Sequence, residues 1–307
     1  MAWLSSFRRR RPVWFKGASA LTTRWLESTL EVARWENMRK AGRRWGVWGA
    51  ALGAALGIVA CAPAPWLAQA VLSGTEGRLL LAESRGTVWQ GDAVAVLTGG
   101  AGSRDARALP GRLTWTLRPT FSGLQLKLQQ DCCMPVPVLV QIRPGWGGAQ
   151  VNVLLQDAGA TLPRDTGAVG HWPAAWLSGL GTPWNTLELG GVLRLDTQAL
   201  TLQWVRGRLR VEGRASVSLD NVSSRVTTLA RLGSYRLDVQ ADPQGQLQMA
   251  LSTLDGALQL SGQGSSGAGG FRFRGEARAT PAEQGALDNL LNIIGRREGD
   301  RSVISIG

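Results

Sequence analysis

Histidine and tyrosine each occur once in this 307-residue chain, cysteine three times and methionine four times. These scarcities remove most catalytic chemistry. A Ser-His-Asp constellation can form only around His171, and Gly170-His-Trp-Pro173 reads as a loop with no local mark of a nucleophile. Metal ligation would need cysteines or carboxylates at ligand-like spacing, and none appears. Cys132 and Cys133 are adjacent, too close for ordinary disulfide geometry. A vicinal disulfide, a reduced pair and an intermolecular cross-link all stay open, with no redox role the plainest reading. Gly262-Gln-Gly264-Ser-Ser-Gly267 fits G-x-G-x-x-G, yet Phe271-Arg-Phe-Arg274 follows as strand where a phosphate cradle needs a helix. A Gly/Ser hairpin loop is the reading adopted. The inventory describes a non-enzyme, with no catalytic, cofactor-binding or metal residue and no cofactor.

Charge is also sparse, at 18% of residues, and unevenly placed. Residues 1–45 carry eleven Lys and Arg against Glu27, Glu31 and Glu36, a net of 11 − 3 = +8. The other 262 residues carry 23 basic and 19 acidic side chains, a net of 23 − 19 = +4. A nucleic-acid-binding domain spreads its basic residues over a folded face. Here they crowd the front of an apolar segment, so no nucleic acid is expected as a partner.

No charge occurs from Trp45 to Gln69. Gly46–Leu67 approaches the ~20 residues that span a hydrocarbon core. Val47, Trp48, Leu52, Leu56, Ile58 and Val59 would be its membrane-facing residues, and Pro63 and Pro65 its end. Arg39, Lys40, Arg43 and Arg44 precede it, which by the positive-inside rule keeps the N-terminus cytoplasmic and sends residues from 68 onward into the periplasm. Ile58-Val59-Ala60-Cys61 also resembles a lipoprotein processing box, and a cleaved signal peptide shares the basic front. The apolar run continues past Cys61, which favours an uncleaved anchor in contact with membrane lipids. Ahead of it, Trp14, Leu21, Trp25, Leu26, Val32 and Trp35 form one face of a basic amphipathic helix; alternatively, translation starts at Met38.

From Leu79 onward, apolar residues recur with period two. Examples are Leu113/Trp115/Leu117, Leu124/Leu126/Leu128, Val151/Val153/Leu155, Leu187/Leu189, Leu193/Leu195, Leu200/Leu202/Trp204, Val217/Leu219, Leu237/Val239 and Leu247/Met249/Leu251. Strands with one apolar and one polar face belong to antiparallel sheets that bury one side. The expected fold is all-β: a single transmembrane helix, then a curled antiparallel sheet forming a sandwich, partial barrel or half-pipe. One or two short helices accompany it. One is expected at Ala174–Leu180. The other starts at Thr280 as N-cap, with Pro281 in first position and Glu283 closing a capping box. It carries the stripe Leu287, Leu290, Leu291 and Ile294 and stops at Gly295. The expected organisation is a cytoplasmic segment 1–45, a membrane helix 46–67 and a periplasmic domain 68–307. A faint echo between Arg85–Gly91 and Arg206–Gly213 suggests similar halves at about 77–160 and 185–307.

Gly86-Thr-Val-Trp89-Gln-Gly91 is similar to the G-T-x-W-x-G segment of type II secretion system protein N, and Leu113-Thr-Trp115-Thr-Leu-Arg-Pro119 to its L-x-W-x-L-x-P strand. Gly181-Thr-Pro-Trp-Asn-Thr-Leu187 with Gly190, Gly191 and Leu193 resembles the family's mid-chain stretch. Ser223-Ser224-Arg225 followed by Leu232-Gly-Ser-Tyr235 resembles its S-S-R … L-G-x-Y pairing, and Thr253–Gly264 and Phe273–Ala277 continue the order. The resemblance implies a non-enzymatic component of the inner-membrane side of a machine that exports folded periplasmic proteins. Its partners would be other inner-membrane and periplasmic subunits. It assigns no catalytic residues; Gly86, Gly91, Trp89, Trp115 and Tyr235 read as architecture. The competing reading is a periplasmic lipid- or lipoprotein-handling protein with an apolar β-groove.

The charge asymmetry predicts topology. An alkaline phosphatase fused after Gln69 should be active and one fused after Arg44 inactive, and Cys61→Ser should leave membrane retention unchanged. The reverse fusion pattern contradicts the anchor.

Overall fold

The structure, a computed structural model, describes residues 43, 45–145, 147–156, 163–205, 208–241, 246–267 and 270–307. Arg39, Lys40, Arg44, Met38 and the amphipathic front segment lie outside the described residues, as does the side chain of Trp204. The chain divides into two compact units, Met1–Ala60 and Cys61–Gly307.

In the first unit, residues 45–60 form helix α1. Val47, Trp48, Leu52, Leu56, Ile58 and Val59 are all exposed along it, as is Arg43 before it. The segment 46–67 is not one helix, as the sequence had suggested. Proline has no N–H to continue a helical ladder. Pro63 instead bridges to Thr87, the Val88 N–H donates to the Ala62 carbonyl at 2.8 Å, and a second helix, α2 (Ala64–Gly74), begins with Pro65 in its first turn. Among the described residues no helix is long and apolar enough to cross a membrane.

The second unit is built on one sixteen-stranded sheet. Its first part holds β1 (Leu79–Gly86), β2 (Gln90–Thr98), β3 (Ala106–Ala108), β4 (Leu113–Thr120), β5 (Gly123–Gln129), β6 (Val138–Gly145), β7 (Gly148–Leu155) and β8 (Thr166–Pro173). After a 3-10 turn at Ala174–Leu180 and α3 (Trp184–Leu187) come β9 (Gly190–Val205), β10 (Arg208–Ser223), β11 (Gly233–Ala241) and β12 (Leu247–Gly256). Then follow β13 (Leu258–Gly267), β14 (Gly270–Ala279), α4 (Gln284–Ile294), β15 (Arg296–Glu298) and β16 (Arg301–Ile306). Nearly every strand pairs with its sequence neighbour, and all the pairs are antiparallel. The long β9 meets β10 on one side; β7 and β8 share its other side, β7 along Thr201–Val205 and β8 along Val192–Gln198.

The sheet is not curled, so the expected sandwich, partial barrel or half-pipe is not formed. β1 and β15 stand at opposite ends of the order and are not paired with each other. Both ends are protected in the ways sheet edges require. β1 carries a bulge at Glu83, whose φ is +49°, and packs against α2; β15 is only three residues long. A meander with one solvated face needs no second sheet opposite it.

The expected strand positions are occupied, with one exception. Leu187 ends α3 and Glu188 turns into the left-handed region at φ +41°, so Leu187 and Leu189 are not strand partners. Both are nonetheless buried in the largest core, with Tyr235, Leu258, Leu287, Leu290 and Leu291. The expected helix α4 buries the foreseen leucine stripe. Its capping box is absent: Thr280 makes no side-chain cap bond, and Pro281–Glu283 is a 3-10 turn leading into α4.

Leu290 is 1% exposed. Leu290→Ala should therefore destabilise this unit by about 2–5 kcal/mol through lost burial and the cavity left behind. Phe121→Ala, at a fully exposed position, should stay within about 0.5 kcal/mol. Urea unfolding followed by tryptophan fluorescence distinguishes the two.

Candidate functional site

Two groups of sequence motifs form compact knots, and a third surface carries the charge. The first knot is Gly86–Gly91, the β1–β2 connection. Gly86 has φ +89°, and a Cβ there would lie 2.4 Å from the Gln90 carbonyl oxygen. A Cβ on Gly91 would lie 2.6 Å from the Trp115 ring. The missing side chain is what lets Trp115 lie flat on the hairpin, 3% exposed, its indole N–H donating to the Thr87 and Val88 carbonyls at 3.2 Å. Ala64, Leu81 and Ala93 complete this core, with Leu67, Ala68 and Val71 of α2 against it. Trp89 is half-buried at the hairpin tip and does not join Trp115 in the core. Arg112 braces the outer surface, donating to Asp92 and, at 3.2 Å, to Glu83.

The second knot gathers residues far apart in sequence. Gly181 (φ +81°) and the cis Thr182–Pro183 bond turn the chain into α3. Asn185 donates to Asp105 at 3.1 Å, Ser224 donates to the Leu187 carbonyl, and Arg225 pairs with Glu188 at 3.0 Å. Tyr235 is 4% exposed and donates to the Leu258 carbonyl at 3.0 Å. Burial pushes its hydroxyl pKa well above the ordinary range. Beside it, Arg231 lowers the pKa of Asp255 by a 2.6 Å hydrogen bond, helped by Ser234. A cleft of about 800 Å3 opens over this knot, lined by Asp105, Arg107, Asn185, Glu188, Ser223 and Arg225 among others. Its polar groups largely satisfy one another, an arrangement that braces the fold.

The remaining candidates are scattered over the sheet. His171 stands exposed on β8 with Arg194 as its register partner, and its backbone N–H donates to the Cys133 carbonyl at 2.8 Å. Cys132 and Cys133 form the vicinal disulfide, one of the three states the sequence allowed; Cys61 is free and exposed. Gly262 and Gly264 are not in a hairpin loop. They lie within β13, where a Cβ on either would strike the Phe273 ring. Among the described residues no group of three or more His, Cys, Asp or Glu side chains could hold a metal.

The third surface was not foreseen. Across β9–β14 and β16, residues of one parity are polar: Asp196, Ser216, Asp238, Gln263, Arg274 and Ser305 stand in register, strand after strand, with Ala250 the only apolar member. An open trough of about 1080 Å3 runs over them. The opposite parity holds Leu195, Val217, Leu237 and Leu251, all half-buried. The alternation that revealed the strands also held this polar face, but only the register shows which charges share a row.

Residues 77–304 match the family model described as type II secretion system (T2SS), protein N. No curated protein and no solved structure matches the chain.

Gly91 and Trp115 lie inside the matched region, and their contact generates a prediction. Trp115→Ala should cost about 3–5 kcal/mol, whereas Trp115→Phe, which keeps most of the apolar contact, should cost less. Equilibrium unfolding measures both. Equal, near-zero costs would show that the ring does not anchor the hairpin.

Proposed function

Because the chain belongs to the type II secretion system protein N family, we propose that it is a non-enzymatic subunit on the inner-membrane side of that machine. In this role it supports release of folded periplasmic proteins across the outer membrane, in contact with other inner-membrane and periplasmic subunits. The observation that carries the reading is the family match over residues 77–304. The polar groups of the motif knots bond to one another, which supports an architectural role for them.

The same reading assigns α1 as a single-pass anchor, with the N-terminus cytoplasmic and residues 61–307 periplasmic. Residues 45–60 rise about 24 Å, short of the ~30 Å hydrocarbon core. Trp45 and Trp48 at the start of the helix would then sit at the interface, with local thinning of the bilayer making up the mismatch. The lipid-handling alternative needs an apolar trough. The large trough of this sheet is lined mainly by Arg, Gln, Ser and Asp side chains, with Val239, Met249, Phe273 and Ile306 also bordering it, and its charges favour a protein partner.

Deleting the gene should leave folded exoproteins in the periplasm while their passage across the inner membrane continues, as read by fractionation and activity assays. His171→Ala and Cys132→Ala should release exoproteins normally. Intact release in the deletion strain, with altered envelope lipid distribution, would overturn the secretion role in favour of lipid handling.

A further inference from the structure

The trough over β9–β14 and β16 contains four exposed arginines, Arg214, Arg236, Arg272 and Arg274, and two aspartates, Asp196 and Asp238. Seven arginines elsewhere in the same unit, Arg112, Arg194, Arg225, Arg231, Arg278, Arg297 and Arg301, are ion-paired. None of the four in the trough is, among the described residues. The guanidinium groups of Arg214, Arg272 and Arg274 make no ion pair or hydrogen bond among the described residues, and Arg236 only reaches Ser218 at 3.4 Å.

The register explains this. Opposite charges on neighbouring strands attract when they stand directly across the ladder. Here each charge faces neutral residues. Arg214 lies between Gln198 and Gln240, Arg272 faces Ser265, and Arg274 lies between Gln263 and Ser305. Asp196 and Asp238 both face Ser216. The sheet thus sets its charges apart among amide and hydroxyl side chains, and the guanidinium groups of Arg214, Arg272 and Arg274 have no internal partner among the described residues. Such groups are free to make charge-assisted bonds to something else.

We propose that this trough is the docking surface for an acidic, extended segment of a partner protein. The inference names the kind of partner for the secretion role above and rests on that reading. Seven strands at ~4.8 Å spacing give a floor about 29 Å across, enough for about nine extended residues. Arginines stand towards both ends, on β10 and β11 at one side and on β14 at the other, so one segment can engage both. The glutamine and serine side chains between them can donate to and accept from peptide groups along the way. The two aspartates oppose a uniform polyanion and a uniformly anionic lipid surface alike.

The test places a photo-crosslinker at Ala250, on the trough floor, in cells carrying the full chain and the whole secretion machine. Cross-linked peptides are then mapped by mass spectrometry. The expected product is a protein segment with more Asp and Glu than Lys and Arg. Its yield should fall at least fivefold in the double variant Arg272→Gln/Arg274→Gln and be unchanged in Arg225→Gln, outside the trough. Thermal melting of each variant confirms that these exposed substitutions leave the fold intact. Cross-links to lipid, to a neutral or basic segment or to nothing, or a yield indifferent to Arg272 and Arg274, would overturn the proposal. Should the gene deletion block exoprotein release while the double variant secretes normally, the docking surface fails and the secretion role stands.

Discussion

Cross-strand register is the constraint on which everything else in this protein depends. Side chains on a strand alternate between faces, so a slip of one residue would move an entire strand's leucines into water and its arginines into the core. Across fourteen strands in one path, such an error would not stay local. The fold pins register with three devices. Short connections join neighbours in sequence. The Gly91–Trp115 contact fixes the first hairpins by shape. Bulges absorb changes of phase along a strand. In β9, Ala199 adopts φ +49° opposite Gly213 of β10, whose φ is +89°, and the pairing skips from Thr201↔Glu212 to Gln198↔Arg214. The bulge inverts the parity of β9 and so keeps its apolar residues on one face along all of its length.

Leu193 and Leu195 are odd-numbered, Leu200 and Leu202 even; the sequence showed them only as two separate alternating runs, and the bulge is what joins them in one strand. The strands and the α4 stripe were legible because periodicity reports which face a residue occupies. Closure was not, because it depends on whether the first and last edges meet, and nothing in local alternation encodes that. The helix break at Pro63 was legible from proline chemistry; that the chain resumes at once as a separate helix, α2, was not. Leu187 and Leu189 imitated a strand because an αL residue, Glu188, places two buried leucines on either side of a turn. The trough stayed hidden because its significance lies in which charges face which neighbours, a property of paired strands and not of any one of them.

The architecture gives physical content to the role proposed for the chain. One face of the sheet supplies the cohesion, its leucines packed at one end beneath α4 and α3 and at the other beneath α2. The other face is free of that duty and carries polar groups the fold does not need. The motifs singled out in the sequence serve the first face: glycines that admit Trp115 and Phe273, the Tyr235 hydroxyl tied to Leu258, the Ser224 bond that closes α3. On the proposed reading the unit Cys61–Gly307 is the working part, and residues 1–60 only anchor it.

The most direct measurement of that claim is a domain exchange. Residues 1–60 would be replaced by an unrelated single-pass anchor of the same orientation, and exoprotein release scored in a strain lacking the native gene. The account predicts release comparable to that given by the native chain. Failure to release, with the hybrid inserted, folded and present at native levels, would contradict it and assign the function to the first sixty residues.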